Sequence, residues 1–206
     1  MIFRPLEMAG AWEVSPVVHE DARGAFVETF RLDEVADVIG RDFRIAQVNT
    51  SLSRAGVVRG VHFADVPPSQ AKYVTCTSGA IFDVVVDVRV GSPTFGKWDS
   101  VVLDDINRRA LLITEGLGHA LMSLDDDSTV TYLCNAPYAP GREHGVHPLD
   151  TELAIAWPRF GRDGQALTPT LSDKDADAPR MNDAIALGLL PEFALVCEYL
   201  TGVDTR

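Results

Sequence analysis

Residues 80–90 read AIFDVVVDVRV, and this stretch decides the fold. Apolar side chains occupy every second position, at Phe82, Val84, Val86, Val88 and Val90. Successive side chains of a β-strand point to opposite faces of its sheet. The pattern therefore predicts a strand whose apolar face packs against a second sheet. Its other face, which carries Asp83, Asp87 and Arg89, is predicted to line a site.

The same period of two continues on both sides of this strand. From Gln47 to Tyr138, short apolar runs are separated by turn-forming residues, which is typical of a sheet-rich barrel or sandwich. The turns are predicted at Ser78-Gly79, Gly91-Ser92-Pro93, Asp104-Asp105 and Asp125-Asp126-Asp127. We predict an all-β fold, a double-sheet jelly roll with a few short helices, although periodicity does not distinguish it from other sandwiches.

Three further segments complete the predicted fold. Residues 32–39 and 182–189 have helical patterns, and Asn182 or Asp183 is the predicted N-cap of the second helix. The stretch from Trp157 to Arg180 is rich in Pro, Gly and Asp, and it is predicted to be a long ordered loop over the barrel.

Length and charge exclude several classes of protein. A chain of 206 residues fits one domain, and its net charge of −12 disfavours general binding to nucleic acid. Residues 1–10 do not resemble a signal peptide, and no apolar run approaches the roughly 18 residues of a membrane span. We therefore expect a cytoplasmic protein without a membrane partner. Its three cysteines are widely spaced and are predicted to be small buried hydrophobes.

The densest group of reactive side chains lies in residues 47–72, QVNTSLSRAGVVRGVHFADVPPSQAK. Arg59 and His62 are three apart, and Lys72 follows after a predicted turn at Pro67-Pro68. If the two segments form one hairpin, the imidazole and the ammonium face the same cavity. Histidine can abstract a proton near neutral pH, and lysine can stabilise a developing oxyanion. A single histidine in a strand is, however, more often structural.

A second group contains Gly116-Leu117-Gly118-His119 and the strand around Tyr132. A tyrosine hydroxyl has an ordinary pKa near 10 and can donate a proton, particularly where a cationic neighbourhood lowers that pKa. Tyrosine in a strand usually serves packing. From its sequence position alone, a packing role for Tyr132 is therefore favoured over a catalytic role.

Neither a catalytic metal nor an organic cofactor is expected. His62 is followed by Phe63 and Ala64, so the His-x-His pair typical of metal-binding barrels is missing. Glu143, His144 and His147 leave a weak surface metal site open. No glycine-rich phosphate loop indicates a nicotinamide cofactor or ATP.

Many separated motifs, taken together, resemble the dTDP-4-dehydrorhamnose 3,5-epimerase family, particularly its actinobacterial members. The resemblance spans nearly the whole chain. The motifs are Asp21-Ala-Arg23-Gly24 with Phe26 and Glu28, Gln47-Val-Asn49 with Ser51, Arg59-Gly-Val-His62-Phe63, Pro68-Ser-Gln70-Ala-Lys72-Tyr73, Asp83-Val-Val-Val-Asp87, Gly91-Ser-Pro-Thr-Phe-Gly96, Glu115-Gly116 with His119, Tyr132-Leu-Cys134, Tyr138-Ala-Pro140 with Glu143, and Leu171-Ser-Asp-Lys174-Asp175.

The resemblance implies a single epimerase domain over residues 1–206, with a jelly-roll cupin fold and a homodimeric assembly. An N-terminal segment of about residues 1–50 would be exchanged between subunits. The barrel would span about residues 45–160, and a C-terminal tail and helix about residues 161–206.

The implied activity is the cofactor-independent conversion of dTDP-4-keto-6-deoxy-D-glucose to dTDP-4-keto-L-rhamnose, by deprotonation and reprotonation at C3 and C5. His62 would be the base, with Asp175 orienting its imidazole. Lys72 would stabilise the enolate oxygen, and Tyr132 would return a proton.

The resemblance also implies a set of binding residues. The partner subunit's Arg23 would hold the diphosphate, while Phe26, Glu28 and Glu143 would surround the thymidine. The diphosphate and sugar would contact Gln47, Asn49, Ser51, Arg59, Lys72, His119 and Lys174.

The sequence departs from the family pattern beside the implied site. Val61 stands where many relatives carry Leu, Ala64 where Gln is common outside the actinobacterial group, and Ala120-Leu121 where the usual pattern has Gly-Phe. The regiochemistry therefore stays open, and an epimerase acting only at C3 or only at C5 of an antibiotic deoxysugar is the alternative. Two other classes are a non-catalytic sugar-nucleotide binding cupin and a metal-dependent cupin oxygenase.

Overall fold

The computed structural model describes residues 1–67 and 69–202, so Pro68 of the predicted Pro67-Pro68 turn lies outside the described residues. The described chain is mostly strand. Its elements are β1 (Ile2–Pro5), β2 (Ala11–Ser15), β3 (Val18–Asp21), β4 (Gly24–Val27), α1 (Leu32–Ile39), β5 (Gln47–Ser53), β6 (Val58–Ala64), β7 (Lys72–Ser78), β8 (Ala80–Val86), β9 (Trp98–Asp104), β10 (Ala110–Ile113), β11 (Gly118–Ser123), β12 (Ser128–Cys134), β13 (Glu143–Gly145), α2 (Asp173–Ala176), α3 (Met181–Ala186) and α4 (Phe193–Gly202).

Two antiparallel sheets form the barrel. The first has the order β1-β2-β10-β7-β12-β5, and the second has the order β13-β6-β11-β8-β9. Strands β3 and β4 form a separate hairpin. The predicted all-β jelly-roll cupin barrel with a few short helices is confirmed.

Apolar side chains from both sheets fill the barrel interior. Val74, Leu111 and Val130 come from the first sheet and meet Ile81 and Leu103 of the second. Burial of such surface is the main favourable contribution to folding, and it joins the inner faces of the two sheets. The functional side chains described below interrupt this interior.

The alternation predicted for β8 is confirmed, but the predicted partner of its apolar face is wrong. Val84 and Val86 pack against the C-terminal residues Met181, Ala184 and Leu190, not against a second sheet. The opposite face looks into the interior, since Ile81 and Val85, the neighbours of Asp83 on that face, belong to the interior cluster. Both faces are covered because the C-terminal segment folds back over the second sheet.

Asp87 and Arg89 do not line a site, contrary to the prediction for this face. The strand ends at Val86, and the Asp87 carboxylate accepts hydrogen bonds from the Arg89 guanidinium at 2.8 Å and from the Ser92 and Thr94 hydroxyls at 2.6 Å. These groups close the turn after β8. Only Asp83 among the three charged residues faces the interior.

The first predicted helix is confirmed as α1, Leu32–Ile39. It ends where Gly40 adopts a left-handed conformation with φ of 72° and donates its N–H to the Ala36 carbonyl. Such a C-cap is easiest for glycine, which has no Cβ to clash. The helix buries Val35 against Phe43 and Tyr73 on the outer face of the first sheet.

The C-terminal helices differ more from the prediction. The N-cap of α3 is Arg180, which makes no side-chain cap hydrogen bond. The predicted N-cap, Asn182 or Asp183, is therefore wrong. The predicted loop from Trp157 contains α2, whose Ser172 hydroxyl accepts the Asp175 N–H. Helix α4 was not predicted, because its apolar residues lack a clear helical period. None of the helices in the described ranges has the length and apolar character needed to span a bilayer.

Candidate active site

A cavity of about 220 Å³ opens between the two sheets. Nine of its ten lining residues carry polar side chains. The lining residues are Ser51, Arg59, His62, Lys72, His119, Leu121, Tyr132, Ser172, Lys174 and Asp175. A neighbouring cavity of about 290 Å³ shares His62, Lys72, Tyr132 and Lys174 with it and extends to Gln47, Asn49, Tyr138 and Glu143.

A bulge in β6 brings Arg59 and His62 to the same face. His62 pairs with His119 and Arg59 with Leu121, so two residues of β6 oppose the single residue Ala120 of β11. Residues three apart in a regular strand would point to opposite faces, and an extra residue corrects this. Gly60 makes the bulge possible, because a Cβ there would lie 2.4 Å from the His119 carbonyl oxygen.

His62 and Lys72 face the same cavity, but not as members of one hairpin. Strand β6 pairs with β11 and β13 in the second sheet, whereas β7 pairs with β10 and β12 in the first. The predicted hairpin is therefore wrong. The two side chains meet because the inner faces of the two sheets enclose the cavity.

The His62 imidazole forms a short hydrogen bond with Asp175. Its Nε2 lies 2.6 Å from the Asp175 Oδ1, and the Ser172 hydroxyl donates to Oδ2 at 2.8 Å. Burial opposes ionisation of Asp175, but hydrogen bonds from His62, Ser172 and the Gly60 N–H outweigh it and hold the pKa of this carboxyl below its ordinary value. The carboxylate is therefore charged and oriented, and the imidazole is half-exposed to the cavity.

A second imidazole and carboxylate lie on the neighbouring strands. The His119 Nε2 is 2.7 Å from the Asp83 Oδ1. Asp83 is fully buried, and its Oδ2 has no hydrogen-bond partner within the described residues. Burial raises the pKa of Asp83 despite the opposing charges of His119 and Lys72.

Lys72 is partly buried at the start of β7. Burial lowers the pKa of its ammonium, while the negative charges of Glu143 and Asp83 act in the opposite direction. In the ranges 1–67 and 69–202, its ammonium has neither a hydrogen bond nor an ion pair. Its charge is therefore available to a ligand in the cavity.

Tyr132 lies on the inner face of β12, next to the interior cluster. Its pKa is raised, chiefly by burial, and the nearby charge of Arg59 does not offset this. The cationic neighbourhood that could have lowered this pKa is present as Arg59, but burial outweighs its effect. The hydroxyl stays protonated at neutral pH, as a proton donor requires.

Strand β5 supplies an amide-rich wall. Gln47 donates from Nε2 to the Asn49 Oδ1 at 2.7 Å and accepts the Tyr138 N–H at 2.7 Å. The Ser51 hydroxyl is buried without a partner among the described residues. Arg59 is held by the Ser53 hydroxyl at 3.0 Å. These side chains present donors and acceptors to both cavities.

The structure brings most of the predicted site residues together, but not those of the N-terminal hairpin. Glu143 and Lys174 line the second cavity. Arg23 is 89% exposed at its side chain and bonds to Asp21, and Phe26 is 70% exposed. Arg23, Phe26 and Glu28 line neither cavity within one chain.

Sequence reasoning missed several residues of the site. Ser172 binds Asp175, and the pattern Ser-x-x-Asp, typical of a helix start, could have revealed it. Gln70, Tyr138 and His144 line the second cavity. Gln70 and Tyr138 stand in the family motifs and His144 in the weak metal site, but none was assigned to ligand binding, because their place in the cavity depends on the packing of distant strands.

No group of three or more His, Cys, Asp or Glu side chains in the described chain is arranged to hold a metal ion. The two histidines of the weak surface metal site are engaged elsewhere. His144 Nε2 lies 2.7 Å from Asp65, and His147 accepts the Leu149 N–H at 3.1 Å.

Comparison with known proteins gives the family. The family model described as dTDP-4-dehydrorhamnose 3,5-epimerase matches residues 5–183. A dTDP-4-dehydrorhamnose 3,5-epimerase of Mycolicibacterium smegmatis is 56% identical over 94% of this chain and 92% of its own. A solved epimerase of Mycobacterium tuberculosis has a TM-score of 0.93 and 50% identity, covering 99% of this chain and 100% of its own. A 3′-monoepimerase of Streptomyces bikiniensis, solved with dTDP-quinovose, has a TM-score of 0.90 and 48% identity, covering 96% and 97%. The chain belongs to the dTDP-4-dehydrorhamnose 3,5-epimerase family.

Proposed function

We propose that this protein converts dTDP-4-keto-6-deoxy-D-glucose to dTDP-4-keto-L-rhamnose by epimerisation at C3 and C5, without a cofactor. One observation carries the proposal. The imidazole of His62, held 2.6 Å from Asp175, shares a cavity with the protonated phenol of Tyr132 and the ammonium of Lys72. A base, an acid and an oxyanion-stabilising cation are the groups that this reaction needs.

The chemistry begins with an acidic C–H bond beside the C4 ketone. His62 removes the proton, the electron pair of the broken bond forms a C=C bond, and the C4 oxygen takes the negative charge. Lys72 stabilises that oxygen, and Tyr132 then returns a proton to carbon from the opposite face. The centre is inverted, and the C4 ketone is restored.

Asp175 supports the base in two ways. Its carboxylate fixes the ring of His62, and its negative charge stabilises the imidazolium that forms when the base takes a proton. The lowered pKa of Asp175 keeps this charge present at neutral pH.

The second cavity suits the nucleotide. Gln47, Asn49 and Lys174 offer donors for a diphosphate, and Glu143 can accept from the thymine ring. We assign Ser51, Arg59 and His119 to the sugar and its adjoining phosphate. The proposed substrate carries a charged diphosphate that does not cross a bilayer unaided, which supports the expected cytoplasmic location.

We propose that the assembly is a homodimer in which residues of about 1–50 reach the neighbouring site. The barrel of about 45–160 and the tail of about 161–206 complete each subunit. Support comes from the exposed Phe26 and from Val48 and Leu52 on the outer face of the edge strand β5, which are 56% and 63% exposed. The partner subunit's Arg23 would then supply a cation to the diphosphate, and Phe26 and Glu28 would contact the thymidine.

A single-centre epimerase is the second candidate. Leu121 lines the sugar cavity where the family pattern has Phe, and the similar Streptomyces bikiniensis protein is a 3′-monoepimerase. The smaller residue changes the space beside His119, and hence the position of the ring relative to the base.

Proton NMR of the keto sugar nucleotide in deuterium oxide tests the proposal. Deuterium incorporation at both C3 and C5 supports the double epimerase, and incorporation at one position supports the second candidate. No incorporation, with dTDP still bound, supports a non-catalytic binding cupin. Incorporation that depends on stoichiometric iron and is lost on chelation would support a metal-dependent enzyme instead.

A further inference from the structure

Lys72 begins the middle one of three neighbouring strands. In the first sheet β7 lies between β10 and β12, and Lys72 pairs with Ile113 on one side and with Cys134 on the other. Its ammonium has neither a hydrogen bond nor an ion pair in the part of the chain that the structure describes. The direction of this side chain therefore depends on the backbone from which it extends.

The backbone just before Lys72 is held by the end of β12. The Asn135 Oδ1 accepts the Ala71 N–H at 2.7 Å, and the Asn135 N–H donates to the Ala71 carbonyl at 3.2 Å. One residue further out, the Gln70 Nε2 donates to the Ala136 carbonyl at 2.7 Å. Both backbone groups of Ala71 are therefore bound to a single residue, Asn135.

A buried carboxylate holds the same amide from the other side. Glu115 follows β10 and is 1% exposed. Its Oε1 accepts a hydrogen bond from the Asn135 Nδ2 at 2.8 Å, and its Oε2 forms an ion pair with Arg41, whose side chain is 6% exposed. The next residue, Gly116, donates its N–H to the Ser69 hydroxyl at 3.2 Å. Asn135 and Glu115 thus join the ends of β12 and β10 across the start of β7, and we call this pair the clamp.

The residue types of the clamp fit this arrangement. An amide can accept from a backbone N–H with its oxygen and donate to a carboxylate with its nitrogen. Paired with Arg41, the Glu115 carboxylate can only accept, so it orients the Asn135 nitrogen toward itself and the oxygen toward Ala71. A buried ion pair contributes little net stability, because desolvation of both charges offsets their attraction. The orientation of the amide gives this pair a use beyond stability.

We propose that Asn135 and Glu115 are positioning residues that fix the backbone of Ala71 and thereby direct the Lys72 ammonium into the cavity. The inference rests on the proposed function, in which that ammonium stabilises the C4 oxygen of the enolate. Neither Asn135 nor Glu115 lines either of the two cavities, so both act through Lys72 and not on the substrate.

The direct test observes Lys72 without substrate. The chain has three lysines, Lys72, Lys97 and Lys174, so NMR of side-chain-labelled lysine gives three sets of signals. A directed Lys72 side chain has ε-methylene signals away from those of a freely rotating lysine. In Asn135→Ala these signals are expected to move toward the free values, while those of the surface residue Lys97 stay unchanged. Lys72 signals that do not move would overturn the proposal.

The ion pair supplies a second variant. Removal of one partner alone would leave a buried charge uncompensated, so both are replaced together, as Arg41→Met with Glu115→Leu. This double variant is expected to fold and to move the Lys72 signals in the same direction as Asn135→Ala. Adding Asn135→Ala to it should have little further effect, because both changes break the same connection. Fully additive effects would contradict the clamp.

Asp104→Asn is the matched control. Asp104 is also a buried carboxylate, and it accepts the backbone N–H groups of Ile106 and Asn107. It pairs with Ala80, beyond the end of β7 that lies opposite Lys72. Its replacement is expected to lower the melting temperature but to leave the Lys72 signals and the exchange rate in place.

Exchange kinetics complete the test. Asn135→Ala is expected to lower kcat for deuterium exchange by about 10- to 30-fold, because a displaced cation stabilises the oxyanion less well. The Kd for dTDP, which lacks the sugar, should change by less than about twofold. An unchanged kcat with a lowered melting temperature, or an equal loss of kcat in Asp104→Asn, would indicate a merely structural role and contradict the proposal. The lysine spectra need no turnover, so they separate failure of this inference from failure of the proposed function.

Discussion

Two carboxylate–imidazole pairs lie side by side in this barrel, and they differ in almost every physical respect. His62 binds Asp175 of the C-terminal segment, and Ser172 and Gly60 complete the hydrogen bonding of that carboxylate. His119 binds Asp83 in the interior, where one carboxylate oxygen stays unpaired. The pKa of Asp175 is lowered, and that of Asp83 is raised.

The difference shows how one kind of pair can serve two purposes. The Asp175 carboxylate is well bonded and stable as a charge, which suits the support of a base that must gain and lose a proton. The Asp83 carboxyl is fully buried with one oxygen unpaired, so burial disfavours its ionised form, and it holds the His119 ring through a single hydrogen bond. Burial and hydrogen bonding separate the two roles, although both pairs have the same residue types.

The largest expected effect separates the two imidazoles. His62→Ala should reduce deuterium exchange by up to about 10,000-fold, the full contribution of a general base. His119→Ala should reduce it by about 100-fold, as expected for a group that binds near the oxyanion. Exchange rates from proton NMR measure both, and dTDP binding by calorimetry serves as the control. Equal losses in the two variants would contradict the assignment of His62 as the base.

The next effect comes from the carboxylate of the first pair. Asp175→Asn should slow exchange by about 100- to 1,000-fold, because an amide can hold the imidazole in the wrong tautomer. It should also lower the melting temperature at pH 7.

The pH dependence of that stability loss has a definite sign. A carboxyl whose pKa is lowered on folding stabilises the protein above its ordinary pKa of 3.8, and this is lost as pH falls through the folded pKa. The gap in melting temperature between wild type and Asp175→Asn should therefore narrow below pH 4. A gap that widens with acid would be inconsistent with the lowered pKa.

A smaller effect is expected at Ser172, which bonds the Asp175 carboxylate and also caps α2. Ser172→Ala should slow exchange by about 3- to 10-fold and destabilise the protein by about 1 kcal/mol. Ser172→Thr keeps the hydroxyl and should restore both quantities. The deuterium exchange rate measures the first quantity, and chemical denaturation measures the second. Full activity of the alanine variant would show that this hydroxyl does not support the first pair.

The smallest effect concerns regiochemistry beside the second pair. Leu121→Phe should alter the ratio of exchange at C5 to exchange at C3 by about two- to fivefold, since a larger side chain moves the sugar in the cavity. Leu121→Met conserves the volume and should leave the ratio near that of the wild type. Proton NMR at the two positions gives the ratio directly. An unchanged ratio in the Phe variant would remove Leu121 as a determinant of regiochemistry.

Local sequence was sufficient for the strands between Gln47 and Tyr138 and for the first helix, but the strands of residues 2–27 and β13 were not predicted. The alternation around Asp83 and the glycine after Ile39 act through neighbouring residues, and both predictions are confirmed. Local sequence did not predict where α3 begins, and it did not predict α4 at all. The positions of both helices depend on packing against the barrel. Gly116, for example, meets Val196 of α4 closely enough to exclude a Cβ.

The sequence by itself determined the reactive residue types and the all-β class, because chemistry and strand period are local properties. Only the tertiary structure decided which of those residues share a cavity. Lys72 meets His62 across two different sheets, and a bulge at Gly60 turns Arg59 to the same side. The tertiary structure also raises the pKa of Asp83 and lowers that of Asp175. These shifts are opposite because burial and hydrogen bonding depend on contacts between segments far apart in the chain.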